Sequence, residues 1–460
     1  MPRLRLINPR NPLSGIARGD IARRVTFGRR AVFLPLGLAV AAGCAPRHWD
    51  VEIVDECARD VPVDRGADLV GLTAMTCQAP RAYELADAYR AIGVPVVLGG
   101  IHPAMLPEEA LAHADAVAVG EAEGTLPRML EDFEARRLGG IYRADGSPPF
   151  AAPRRDLLVP RHYLVSHPVQ VSRGCPMRCR FCTTHAMYGG RYLMRPVGDI
   201  VEEIRGLGAR RIVFADDNVV GNRAWAQEFL AALEKLGISW TGQATISVAR
   251  DAGLLVAMKR SGCAGLILGL ESPNPESLRL ADKTYCHPDD YIPLIEEFRR
   301  RRIGLWGSFI FGFDSDTVES LRATVEFARR ARLAFAIFTV LTPYPGTGFY
   351  GDFERQRRIL SRDWTRYNGA SVVFQPKRLG VRELRECQRA AYTEFYSWSN
   401  IRSRLQTPPK QRAAWLMNLA AHWGWRYHWR RAERRMPDFR DAWQWRDDEV
   451  NAERAMRNAE

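Results

Sequence analysis

The chain opens with short apolar runs set between helical patterns. Leu4 to Ile7 is a compact apolar strand that ends in the loop Asn8-Pro9-Arg10-Asn11-Pro12, and an apolar helix follows over residues 37–44. Further strands are expected at 50–55, 69–72, 94–98 and 116–119, with a helix near 80–92. Continuous β-rich runs separated by helices are the pattern of a parallel sheet covered on both faces. Such sheets bind ligands at the carboxyl ends of their strands. Here those ends carry Thr73-Ala74-Met75-Thr76, Gly99-Gly100-Ile101-His102-Pro103 and Gly120-Glu121-Ala122-Glu123-Gly124. A second series has strands at 168–171, 211–215, 239–245, 265–270, 304–311 and 334–341, with helices such as 199–207 and 316–330. Six strands with helical crossovers predict a partial (βα)6 barrel, an open version of the eight-stranded TIM type. The expected organisation is therefore α/β: a doubly wound, Rossmann-like domain over 1–140, a Pro/Arg/Asp-rich linker over 141–167, the barrel over 168–350 and a mostly helical extension over 351–460.

Composition narrows the class. With 460 residues, 46% hydrophobic and 26% charged, the chain has material for two or three well-buried cores. Gly and Pro show no period, which excludes collagen-like order. The longest apolar run, Ala31 to Ala45, contains Pro35 and falls short of the ~20 residues of a membrane span. Its Ala-Ala-Gly-Cys44 ending half resembles a lipoprotein cleavage site, but the 30 residues before it do not read as a signal n-region, so a cytoplasmic protein is expected. Nine cysteines, an odd number, argue for free thiols rather than a disulfide framework. The net charge is +13, and the tail from Ile401 contributes with 13 basic against 8 acidic residues.

The sharpest local feature is Ser172-Arg173-Gly174-Cys175-Pro176-Met177-Arg178-Cys179-Arg180-Phe181-Cys182, a C-x3-C-x2-C loop directly after the first barrel strand. Three thiolates on one short loop can hold an iron–sulfur cube and leave one iron without a protein ligand. Zinc normally wants a fourth ligand, for which His185 is the nearest rival. A cysteine loop opening a βα barrel resembles the signature of the radical S-adenosylmethionine (SAM) superfamily. The resemblance covers about 168–350 and implies a 4Fe–4S cluster on Cys175, Cys179 and Cys182, with SAM chelating the open iron. Phe181 matches the family's usual aromatic. Asp216-Asp217-Asn218, Gly269-Leu270-Glu271-Ser272 and Pro343-Tyr344-Pro345-Gly346-Thr347 fall where strands two, four and six end. By that resemblance Phe181, Asp216, Asp217, Glu271 and Ser272 would line SAM. Taken singly, a Pro-Gly pair is usually a turn and an acidic strand end usually a helix cap.

The front domain resembles the cobalamin-binding domain that precedes the barrel in one branch of that superfamily, on Val70-Gly71-Leu72-Thr73, Val97 to Pro103 and Val119 to Glu123. The resemblance implies cobalamin contacts at Thr73, Thr76, Gly99, Gly100, His102, Gly120 and Glu121. The D-x-H-x-x-G loop that supplies a cobalt ligand elsewhere is missing, because Asn8 to Gly19 contains no His, so cobalamin without a protein lower ligand is expected. In the tail, Tyr367-Asn368-Gly369, Pro376-Lys377-Arg378 and Glu394 to Trp398 are similar to the extension of hopanoid-methylase-like members. The Trp/Arg-rich segment 412–431 suits either an interfacial helix on an inner membrane surface or a helix packed on the barrel. No RNA-binding module is visible, and nucleic acid is not the expected partner.

Together these resemblances imply an enzyme that cleaves SAM to a 5′-deoxyadenosyl radical with an electron from a donor such as flavodoxin or ferredoxin. The leading expectation is a cobalamin-dependent C-methyltransferase acting on an unactivated carbon of a secondary-metabolite or lipid-like molecule. A non-methylating oxidative cyclisation or rearrangement is the nearest alternative, and a non-catalytic iron–sulfur protein is the third. Tyr188, Cys263, Cys286 and Tyr344 are the substrate-side candidates, against the ordinary reading of buried Cys and strand-end Tyr as packing residues. Cys77, at the cobalamin face, reads as a small hydrophobe.

Overall fold

The computed structural model describes residues 1–10, 28–404, 418–419 and 421–423. The chain divides into two compact units, 1–391 and 392–460. In the first unit the strands are, in chain order, β1 (Arg3–Asn8), β2 (Ala31–Phe33), β3 (Asp50–Asp55), β4 (Leu69–Thr73), β5 (Val96–Gly99), β6 (Ala116–Val119), β7 (Gly140–Arg143), β8 (Tyr163–Val165), β9 (Pro168–Val169), β10 (Ser172–Gly174), β11 (Tyr192–Met194), β12 (Arg211–Phe214), β13 (Ser239–Ala244), β14 (Cys263–Glu271), β15 (Gly304–Phe311) and β16 (Phe335–Val340).

The front sheet is parallel throughout, in the order β3-β1-β4-β5-β6-β7. Its order reverses at β1, so a crevice opens outside the carboxyl ends of β1 and β4. Alternate side chains feed two cores: Leu4 and Leu6 join Leu38, Trp49, Ile53 and Leu130 on one face, while Ile7 and Leu72 join Tyr83, Tyr89 and Leu98 on the other. Gly140, at φ +79, lets the chain turn into β7, which pairs Ile141 with Val117 and Tyr142 with Ala118. The stretch expected to begin a linker therefore first completes the sheet. The rest of it wraps the front domain through β8, paired with β2, and through the Ala151 amide, which donates to Glu123.

The second sheet is parallel and sequential, β9-β12-β13-β14-β15-β16, as a (βα)6 barrel requires. Its first strand stops at Val169, two residues earlier than the apolar run predicts. The reason lies in Asp216: its carboxylate accepts from the Val171 amide (3.0 Å), the Ser172 amide (2.5 Å) and the Ser172 hydroxyl (2.8 Å), which pulls the chain off the ladder. β10 and β11 then pair antiparallel on either side of the cysteine loop.

Beyond the barrel the chain is not only helical. Ile359 and Phe374 form an antiparallel bridge, and the turn between them carries Trp364, Tyr367 and Val373 into the core of the front domain beside Tyr83 and Leu98. The helix that begins at Val381 is tied to the barrel by Gln388, whose amide donates to the Phe338 carbonyl at 2.8 Å. In the second unit the Trp398–Arg404 helix packs within its own residues, the Arg404 guanidinium lying 3.7 Å from the Phe395 ring centroid. Among the described residues no helix is long and apolar enough to cross a membrane. Most of the Trp/Arg-rich segment 412–431 lies outside the described residues.

Candidate active site

The cysteine loop is shaped before it reaches its first thiol. Gly174 sits at φ +79, and a Cβ there would lie 2.1 Å from the Arg191 carbonyl oxygen, so only glycine fits. One residue earlier, Arg173 crosses to the front domain. Its Nη2 meets the Glu123 carboxylate at 2.5 Å with both side chains only 6% exposed, and its guanidinium stacks 4.2 Å from the Phe150 ring centroid. The loop end is fixed in turn by Cys182, which precedes the Thr183–Tyr188 helix, and by the Arg180 amide, which donates to the Ala281 carbonyl at 3.0 Å.

All nine cysteines are free thiols. Burial pushes Cys179 up to about 11 and raises Cys175. Cys182 acts electrostatically on both, so the three thiols share one neighbourhood. Among the described residues no group of three His, Cys, Asp or Glu side chains closes around a single ion. A cube presents its irons at separate corners, so its thiolates stand further apart than the ligands of one zinc ion. Three soft donors on one short loop fit a cube that keeps one iron open. His185 does not join them, and its buried Nδ1 has no partner.

The residues matched to SAM divide into two groups. Asp216 is buried and its carboxylate is consumed by Val171 and Ser172, with burial pushing it up to about 7. Its role is to bend the chain into the cysteine loop rather than to face a ligand. Asp217 instead looks toward that loop: Thr184 donates to it at 3.0 Å, and burial raises it. Glu271 ends β14 at φ +58 beside a bulge, and Lys283 Nζ grips its carboxylate at 2.6 Å. The Ser272 hydroxyl is buried and accepts from the Asn274 amide at 3.1 Å. Phe181 is half-buried beside Cys182.

At the front sheet, Gly100 lies at φ +95, where a Cβ would fall 2.6 Å from Thr73 Oγ1, and Gly120 lies at φ +101 against Ala144. Both let backbone pass close to the strand ends, whereas Gly99 has only an ordinary contact with Ala118. Thr76 is buried, and Met75 is the exposed side chain of that turn. His102 is not presented on the open strand ends. It is fully buried, donates through Nε2 to Glu109 at 3.2 Å, and lies edge-on to Trp364. Glu109 also accepts from Tyr83 and from Trp364 Nε1, so His102 belongs to the junction that holds the Trp364 turn. Glu121 lies at the mouth, where its charge and that of Asp217 both act on Tyr188, and burial pushes Tyr188 up to about 12.

The other substrate-side candidates separate by position. Cys263 is the first residue of β14, at the amino end, roughly 25 Å of strand from Glu271 at a rise of about 3.3 Å per residue, and it cannot serve the site. Cys286 is buried beside Tyr291 and Lys283. Tyr344 packs against the front domain near Cys77. Four residues of the site escaped sequence reasoning: Arg173, Glu123, Lys283 and Tyr285, whose hydroxyl lies 3.7 Å from Cys179 Sγ. Arg173, adjoining Gly174-Cys175, and Glu123, in the strand-end run Gly120 to Gly124, carried a local hint; Lys283 and Tyr285 carried none.

Comparison with known proteins agrees with this geometry. Residues 169–328 match the radical SAM superfamily, and residues 28–130 match the B12 binding domain. The chain is 31% identical over 404 residues to bacteriochlorophyllide d C-12(1)-methyltransferase of Chlorobaculum tepidum, covering 85% of this chain and 88% of the relative. It is 25% identical to the anaerobic magnesium-protoporphyrin IX monomethyl ester cyclase of Rubrivivax gelatinosus, covering 83% and 77%. The radical S-adenosylmethionine methyltransferase TsrM of Kitasatospora setae, solved with cobalamin and a [4Fe-4S] cluster, shares the fold at a TM-score of 0.60 and 19% identity, over 77% of this chain and 78% of that one. With a three-cysteine loop at the mouth of a (βα)6 barrel, ion-paired to a B12-type sheet, the chain belongs to the cobalamin-binding branch of the radical SAM superfamily.

Proposed function

We propose that this enzyme is a cobalamin-dependent radical SAM C-methyltransferase whose substrate is a small apolar molecule, bacteriochlorophyllide-like or lipid-like. The carrying observation is the buried Arg173–Glu123 pair, which ties the cysteine loop to the strand-end turn of the front sheet and so faces two cofactor platforms toward one mouth. The relative that is 31% identical over most of both chains is itself named a methyltransferase. When bound, the cluster and cobalamin supply the electron that cleaves SAM and the carrier for the methyl group.

The chain's own residues position these groups and exclude water. Cys175, Cys179 and Cys182 hold the cluster; Phe181, Asp217, Glu271 and Ser272 border SAM; Thr73, Met75, Gly100, Gly120 and Glu121 border cobalamin. Tyr188, which feels the charges of Glu121 and Asp217, holds its phenolic proton on the substrate side. An exposed one-electron donor such as flavodoxin or ferredoxin completes the system. The Trp/Arg-rich tail supports a cytoplasmic enzyme that reaches apolar substrate at a membrane surface.

The test uses protein purified without oxygen from cobalamin-fed cells and reconstituted with iron and sulfide, beside Cys179→Ala. Stoichiometric cobalamin, a full cluster lost in the variant, and S-adenosylhomocysteine formed together with 5′-deoxyadenosine are expected on turnover with bacteriochlorophyllide or lipid acceptors. The likeness to the cyclase supports a second reading. In that case 5′-deoxyadenosine would accompany product with no S-adenosylhomocysteine.

A further inference from the structure

Asp282-Lys283-Thr284-Tyr285-Cys286 is the turn that follows the Pro275–Leu280 helix, and it lies against the cysteine loop. Asp282 adopts φ +53, which reverses the chain. The Ala281 carbonyl just before it accepts from the Arg180 amide at 3.0 Å, so the turn and the loop are held together by backbone. Lys283 and Cys286 of the turn are buried and Tyr285 is half-buried. Lys283 is buried, its ammonium donating to Glu271 at 2.6 Å and to the Gly269 carbonyl at 2.8 Å. A Cβ on Gly269 would come within 2.9 Å of that ammonium, so β14 leaves room for it. Tyr285 lies with its ring centroid 5.7 Å from Lys283 Nζ and its hydroxyl 3.7 Å from Cys179 Sγ.

We propose that Lys283 and Tyr285 are positioning residues that raise the reduction potential of the cluster bound through Cys179, the lysine by its fixed positive charge and the tyrosine by a hydrogen bond to the ligand sulfur. The inference rests on the reading of Cys175, Cys179 and Cys182 as cluster ligands. One-electron reduction makes the cluster more negative. A buried ammonium nearby favours that state more than water would, because low-dielectric surroundings screen it less. Hydrogen bonds to cluster sulfurs act in the same direction. Lys283→Gln leaves the Glu271 carboxylate in place, so the change in midpoint reads the ammonium alone. A lysine serving only to anchor Glu271 would leave the potential unchanged when replaced by a neutral hydrogen-bond donor.

The experiment is a redox titration of the reconstituted full chain without SAM, followed by electron paramagnetic resonance of the reduced cluster, with iron and sulfide counted in each sample. Lys283→Gln keeps a donor to Glu271 and removes the charge. At a fixed applied potential its ratio of reduced to oxidised cluster is expected to fall about tenfold, a midpoint about 59 mV more negative for one electron. Lys283→Arg should restore the wild-type midpoint. Tyr285→Phe, which leaves the ion pair intact, should shift in the same direction by a smaller factor. Full clusters with unchanged midpoints in Lys283→Gln and Tyr285→Phe would overturn the inference while leaving the cluster assignment standing. Wild-type protein that takes up no cluster would overturn the assignment, and the inference with it.

Discussion

Replacing Glu123 by Gln removes one negative charge from the junction of the two sheets and almost nothing else. The Gln carbonyl still accepts from the Ala151 amide, now at 3.1 Å from Glu123 Oε1, and side-chain volume is retained. Arg173 keeps its stacking on Phe150 and its 3.3 Å bond to Gln170, but its charge is left without a counter-ion at 6% exposure. Breaking a buried pair by removing one partner costs about 3–5 kcal/mol. The remaining cation–π contact, at about 1–2 kcal/mol, is present before and after and does not offset the loss. The expected cost is therefore about 3 kcal/mol, on a fold whose whole stability is of order 10 kcal/mol. Urea unfolding under anaerobic conditions, read by fluorescence and by release of bound cobalamin, measures it. Cobalamin release should move to lower urea first, because the pair joins the front sheet to the cysteine loop. The apolar double variant Glu123→Leu/Arg173→Met should recover most of the loss, as such replacements do when desolvation dominates. A Glu123→Gln cost below about 1 kcal/mol, the range of an exposed pair, would refute the buried-pair reasoning.

Gly174→Ala forces a Cβ onto the Arg191 carbonyl at a φ that alanine resists, so the reconstituted variant should retain its circular dichroism and lose most of its iron. Asp216 is held near 7 by burial, above its value in the unfolded chain, so the native state binds the extra proton and stability falls as pH rises from about 4 to about 7. Asp216→Asn has no such proton, and the difference in unfolding free energy between the variant and the wild type should shift in the variant's favour across that window; a pH-independent difference would count against the assignment. Trp364→Ala removes a buried ring and the donor to Glu109, and should cost about 3–5 kcal/mol in the unfolding of the front domain although Trp364 follows the barrel in sequence.

Much of the fold was legible because parallel, doubly covered sheets write themselves as uninterrupted apolar runs. Strands such as β3 and β15 fall on the expected residues. The cysteine loop was legible for a different reason: three reactive side chains at fixed spacing are meaningful without any knowledge of their neighbours. What failed to show was whatever depends on partners distant in sequence. Nothing in Val169-Gln170-Val171 announces that Asp216, 45 residues on, will end the strand. β7 was hidden because Gly140 to Arg143 straddles the expected start of the linker at 141, and a four-residue strand carries little periodic signal. Glu271 and His102 were recognised as special, but their burial against Lys283 and Glu109 decides what they do, and periodicity does not encode the direction of a single side chain.

The return of Trp364, Tyr367 and Val373 to the first sheet has a consequence for how the molecule is made. When Arg143 leaves the ribosome, all six strands of the front sheet exist, yet one of its apolar cores lacks those three residues. Roughly 220 further residues must be translated before Trp364 follows, which at about 5–20 residues per second takes on the order of 10–45 s. During that interval the nascent front domain is an incomplete body with an apolar wound, and its cobalamin face is not yet braced through Glu109 and His102. The B12-type domain is thus completed only after the barrel has been made, although its six strands are encoded before it.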